Sequence, residues 1–128
     1  MSCGKPHGDR NEILSNKLKD EGIYFDWSIT ISFYSVIHYI EDKAFPITFL
    51  DKTCNSLRDY MNAQSISSRH TARRRLVGQK FPSILSKYKW LEDKSRFSRY
   101  EDFNISEAEA NQALRYLSSI KECCYEYI

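Results

Sequence analysis

Between Tyr24 and Phe45 the chain runs for about 20 residues without a Gly, Pro or Asn, and this run limits the available folds more than any other feature. Locally it is ambiguous: Ile29, Ile31 and Phe33 alternate as in a strand, and β-branched residues favour strands. Length decides the matter, because strands of globular proteins are usually about 5–6 residues long. Asp26 is read as the N-cap and Pro46 as the stop. Apolar side chains fall nearly all round the helical wheel, as expected of a helix packed on several sides. Its most apolar part, Trp27 to Ile40, is 14 residues long and interrupted by Ser28, Thr30, Ser32, Ser35 and His38. That is too short and too polar to span a bilayer, so the run predicts a buried central helix and no membrane partner.

The other elements are placed around it. Ile13, Leu14 and Leu18 form an apolar stripe on a first helix from about Asp9 to Glu21, stopped by Gly22. Residues 1–8 are polar and read as a flexible N-terminus; they show no apolar signal segment, so a cytoplasmic location is expected. From Phe45 to Ile66 the pattern weakens, leaving room for a short helix around Asp51 to Tyr60. Ser67 or Ser68 caps a helix through Val77 ended by Gly78, and Pro82 opens the next, to about Arg99. Ser106 with Glu109 has the S-x-x-E form of a capping box, starting a last helix that runs nearly to Tyr127. The sum is an all-α, up-and-down antiparallel bundle of four to five helices in one domain, 1–128. With Gly 4 and Pro 3, the chain has too few turn formers for an all-β fold. The four cysteines, without CxxC or an export signal, read as reduced thiols. Cys3 and His7 with Cys123 and Cys124 make a poor tetrahedral set, so neither metal nor cofactor is expected.

Charge is uneven. The chain carries a net +2, but the stretch from Arg69 to Arg99 carries +8 and the remainder −6. Within that stretch His70, Arg73 and Arg74 stand at i, i+3 and i+4, so an imidazole and two guanidiniums can share a groove suited to phosphate. The same residues also fit a solvated face whose arginines pair with acidic residues of the first or last helix. His38, three and four residues before Glu41 and Asp42, reads either as a satisfied core histidine or as an acid–base group near pH 7. Lys87, Lys89, Lys94, Arg96 and Arg99 alternate with Tyr88, Trp90, Phe97 and Tyr100, a mixture that can neutralise and stack on single-stranded RNA. Tyr88, Leu91 and Ser95 have core spacing, however, which favours packing. No phosphate loop, dinucleotide fingerprint, H-E-x-x-H or G-x-S-x-G elbow is present.

Three pieces occur in order: Asp26-Trp27 with Phe33-Tyr34-Ser35-Val36-Ile37-His38; then His70-Thr71-Ala72-Arg73; then Tyr88-x-x-Leu91-x-x-x-Ser95 ending in Arg99-Tyr100. Together they resemble the small prokaryotic HEPN-like helical domains, over about Tyr24 to Tyr100. The resemblance implies a homodimeric bundle acting in RNA metabolism, toxin–antitoxin systems or defence. With the local +8 it points to a module whose groove, lined by His38, His70, Arg73 and Arg74, holds RNA or a nucleotide phosphate, with Arg99 as a further phosphate contact and Tyr34 and Tyr100 in support. A metal-independent endoribonuclease using His38 and His70 is the alternative it suggests, although the family's Arg followed four to six residues later by His is absent. A non-catalytic interaction subunit, for instance with a nucleotidyltransferase-type partner, is the third.

Overall fold

The computed structural model describes residues 4–125, which form six α-helices and one small hairpin. In chain order these are α1 (Gly4–Glu21), α2 (Phe25–Ala44), β1 (Ile47–Phe49), β2 (Lys52–Cys54), α3 (Leu57–Gln64), α4 (Arg69–Lys80), α5 (Leu85–Tyr100) and α6 (Glu107–Tyr125). A 3₁₀ turn over Pro82–Ile84 leads into α5. The fold is therefore predominantly helical, with one helix more than the five expected and a sheet that was not expected at all.

The central helix is α2. It packs on α1, α5 and α6, and its buried residues cover most of the wheel, leaving the side of Ile31, Tyr34, His38 and Glu41 more open. Toward α5 and α6 it contributes Ile29, Phe33, Val36 and Ile40 to a core shared with Tyr88, Leu91, Leu117 and Ile120. Toward α1 the contacts are polar and close: Ser15 Oγ lies 2.7 Å from the Ser28 carbonyl and 2.6 Å from Ser32 Oγ, and Ser35 Oγ donates to the Gly8 carbonyl at 2.6 Å. The serines that interrupt the apolar run are thus what lets two helices approach closely with their hydroxyls satisfied.

This seam corrects the expectation for α1. The predicted stripe faces solvent, with Ile13 61% and Leu14 42% exposed, while Gly4, Gly8 and Ser15 are buried. A Cβ on Gly8 would stand 2.5 Å from the Tyr39 ring, so only a residue without a side chain fits. The helix also begins at Gly4 rather than Asp9, so residues 4–8 of the segment expected to be flexible are helical and in part buried. The remainder of that segment, Cys3 included, lies outside the described residues.

Further corrections concern boundaries. Tyr24, not Asp26, occupies the N-cap of α2 and makes no side-chain cap bond; Asp26 sits in the first turn, where a carboxylate complements the helix dipole. Helix α4 runs through Gly78 to Lys80. The short helix lies at Leu57–Gln64, capped by Ser56, because Ile47–Phe49 and Lys52–Cys54 pair as antiparallel strands across Leu50 and Asp51. Other local signals hold. Gly22 follows α1 with a φ of 75°. Ser68 Oγ accepts from the Thr71 N–H at 3.3 Å. Ser106 and Glu109 form the reciprocal box, at 3.1 and 2.9 Å. Among the described residues no helix is long and apolar enough to cross a membrane.

Candidate functional site

The predicted residues lie along one seam where α2, α4 and α5 meet, but ion pairs divide it. Arg73 turns toward α2 and donates from Nε to Glu41 at 2.7 Å. Arg74 turns toward α5, bonded to Glu92 and, at 2.5 Å, to Asp93. Both guanidiniums are therefore matched by carboxylates, although on α2 and α5 rather than on the first or last helix. Glu92 is only 3% exposed; burial alone would lower the Arg74 pKa, but the hydrogen bonds and charges of Glu92 and Asp93 together outweigh it and raise it. Tyr88 Oη is buried between the two pairs with no hydrogen-bond partner among the described residues. Burial, then the charge of Glu92, pushes its pKa up.

The histidines separate. His38 is half-buried and its ring stacks on that of His7 from α1, centroids 3.9 Å apart. Burial, then the neighbouring His7, lowers its pKa; Glu41 acts in the opposite sense and Arg73 adds to the depression. His70 lies toward α5 instead, where Arg96 donates to its Nδ1 and Glu92 approaches to 3.8 Å.

His70 belongs to an open groove of about 490 Å3 between α4 and α5, lined by Thr71, Arg74, Arg75, Gly78, Leu85 and Lys89 as well. His38 is not part of it. No Asp or Glu lines the groove, Arg75 bonds only to the Gln64 side-chain oxygen, and Lys89 has no ion pair among the described residues. Cations are thus presented to solvent without neutralising partners, which is the electrostatic form of an anion site. Helical geometry explains the lining: positions 70, 74 and 78 fall on one face with 71 and 75 beside them, and Gly78 leaves its floor free of a side chain.

Arg99 is held at the far end of α5. Its Nη1 donates to Tyr34 Oη at 2.8 Å, and its guanidinium carbon lies 5.7 Å from the Tyr34 ring and 5.1 Å from the Tyr100 ring. Arg99, Tyr34 and Tyr100 thus lie together, the half-buried guanidinium between two aromatic rings. Lys89, Arg96 and Arg99 follow at i, i+7 and i+10 along one face of α5, spanning about 15 Å at 1.5 Å per residue.

Arg75 and Thr71 were not singled out by sequence, although the i, i+4, i+8 spacing of His70, Arg74 and Gly78 marks the same face. Among the described residues no group of three or more His, Cys, Asp or Glu is placed to hold a metal ion. Compared with family models, curated proteins and solved structures, the chain matches none.

Proposed function

We propose that this chain is a HEPN-like helical bundle, cytoplasmic and homodimeric, that binds single-stranded RNA without cutting it. The backbone would lie in the α4–α5 groove and continue along α5 toward Arg99. The observation that carries this reading is the carboxylate-free groove holding His70, Arg74, Arg75 and Lys89. Neutralising phosphates with unpaired cations releases counterions, which supplies affinity independently of sequence. Arg73 does not contribute directly, because Glu41 already takes its Nε–H. Arg74 lines the groove but is already paired with Glu92 and Asp93, so the uncompensated charge comes from Arg75 and Lys89.

Binding is favoured over hydrolysis for a geometric reason. Metal-independent cleavage needs an acid and a base within hydrogen-bond reach of one scissile phosphate. His70 lines the groove, whereas His38 is stacked on His7 outside it.

Anisotropy of a short labelled single-stranded RNA, titrated from low to moderate salt in EDTA, tests the reading. Log affinity is expected to fall linearly with log salt. Arg75→Ala with Lys89→Ala should weaken binding at least tenfold and flatten the slope by about 1.4, at about 0.7 per lost phosphate contact. A flat salt response, an unaltered double variant, or cleavage that disappears in His70→Ala would overturn it.

A further inference from the structure

At the opposite end of α5 from the groove, two cavities of about 410 and 390 Å3 adjoin. They share Asp26, Trp27 and Phe103, so the first turn of α2 and the α5–α6 connection form a divided cleft. Its walls are aromatic and its rim is unusually bare: Trp27 is 51% exposed, Phe103 68% and Tyr100 76%. Two charged groups of opposite sign face it. Asp26 makes no hydrogen bond or ion pair among the described residues, and Arg99 lines the second cavity. The dipole of α2 accounts for a carboxylate at Asp26 but not for an arginine in the wall of the same cavity, and a simple anion or cation would satisfy only one of them.

We infer that this cleft is a nucleobase pocket and that it selects guanine. Each cavity is larger than a base, and flat aromatic side chains stack on any base face. Selection comes from the edges. A carboxylate only accepts hydrogen bonds and a guanidinium only donates them. Guanine alone among the four RNA bases carries two adjacent donors, N1–H and the N2 amine, on one edge, and two adjacent acceptors, O6 and N7, on another. The first pair matches the fork of Asp26 and the second that of Arg99, the latter being the commonest specific arginine contact to a base. Adenine would set its N1 lone pair against the carboxylate. Uracil has a single donor on its pairing edge, and cytosine sets an acceptor beside its amine.

The inference deepens the RNA-binding reading and rests on it for the source of the base. Its geometry is consistent with that reading: the line of Lys89, Arg96 and Arg99 leads from the groove to the cleft. A strand with its phosphates along α5 would therefore deliver an unstacked base a few nucleotides beyond the groove.

Free nucleosides separate the two claims, because they lack phosphate. The probe is Trp27 emission in a Trp90→Phe background, where the remaining tryptophan reports on the cleft. Guanosine is expected to titrate this signal at least tenfold more tightly than adenosine, cytidine or uridine. Inosine, lacking only the N2 amine, should bind about tenfold more weakly than guanosine. Asp26→Asn, checked for retained helicity by circular dichroism, should erase the difference between guanosine and inosine. Equal binding of all nucleosides, parity of inosine with guanosine, or no response at millimolar guanosine would overturn the pocket. If salt-dependent RNA binding persisted in that case, the groove would stand alone; guanosine binding without any salt response would instead sink the groove and spare the pocket.

Discussion

The two flanks of α2 solve the same problem in opposite ways. On the α1–α6 flank the charges that reach inward toward α2 close on one another, while outward ones such as Arg10, Lys17 and Glu122 stay exposed. Tyr39 Oη lies 2.5 Å from Asp9, and Lys121 bridges Asp9 at 2.9 Å and Glu12 at 3.0 Å. The Tyr39 hydrogen bond and the lysine overcome the burial that opposes ionisation and hold the Asp9 carboxyl down at about 2. Tyr125 similarly donates to Asp42 at 2.6 Å. On the α4–α5 flank the carboxylates Glu41, Glu92 and Asp93 answer only the inner arginines, and the outer cations face water. A closed network costs little to keep and offers a ligand nothing. A surplus of one sign on a groove raises self-repulsion and is relieved by a partner of the other sign. The first flank ties α1 and α6 to α2; the second carries the groove on which the proposed binding rests.

The contrast breaks most readily at Glu92. Replacing it by Ala removes the buried anion that holds Arg74 and faces His70. Losing one partner of a buried pair costs 3–5 kcal/mol, and the lower end, about 3 kcal/mol, is expected because Arg74 keeps Asp93 and some solvent. Asp93→Ala, at an exposed carboxylate, should cost no more than about 0.5 kcal/mol. Urea unfolding of the two variants measures both. Similar losses would mean that the seam is an ordinary surface ion-pair cluster.

On the other flank Gly8→Ala is the sharper probe. Its new methyl would have to displace the Tyr39 ring, which Asp9 and Glu12 hold by its hydroxyl. Overpacking of this kind costs 1–3 kcal/mol, so a loss of about 2 kcal/mol is expected, again by urea titration, with RNA affinity untouched. Arg75→Ala should show the reverse pattern, near-neutral stability and weakened binding. A neutral Gly8→Ala would show that the α1–α2 seam tolerates slack, and would remove close approach as the reason for its serines and glycines.

Which parts of this were legible in sequence follows from the range of the forces involved. Helix α2, the Ser68 cap and the Ser106–Glu109 box are set by residues within a few positions of one another, and pattern reading finds them. The hairpin escaped because Leu50-Asp51 lacks the Asn-Gly or Gly-X chemistry that advertises a two-residue turn, although Leu50 adopts a φ of 56°. The buried face of α1 escaped because Gly4, Gly8 and Ser15 are not apolar; only the seat they make for Tyr39 and the α2 serines gives them meaning. The basic character of α4–α5 was visible as composition; Tyr34, Arg99 and Tyr100 were grouped only through the family resemblance, and their mutual contact was not foreseen. Nor was the pairing of Arg73 with Glu41, or of Arg74 with Glu92, because it depends on which side of α4 each guanidinium leaves. The same ignorance joined His38 and His70 into one site, which the packing of His38 against α1 divides.

His38 is also where the two flanks touch, since it meets His7 of α1, Glu41 of its own helix and Arg73 of α4. Burial and the neighbouring imidazole hold its folded-state pKa below the ordinary value of 6.5, so the unfolded chain takes up a proton there before the native one does. Stability from this group is therefore complete above about pH 6.5 and is lost as pH falls from there toward the lowered folded value. Asp9 contributes in a separate window: its depressed pKa means stability lost only as pH falls from 3.8 toward about 2. Between pH 7.5 and 5.5 the carboxylate is silent and His38 is not. His38→Gln should consequently show a smaller fall in urea midpoint across that interval than the wild type, by less than about 1 kcal/mol, since one pKa unit corresponds to about 1.4 kcal/mol. Equal falls in both proteins would mean that the stacked imidazole titrates as though it were in water, and that the boundary between the closed flank and the open one does not run through it.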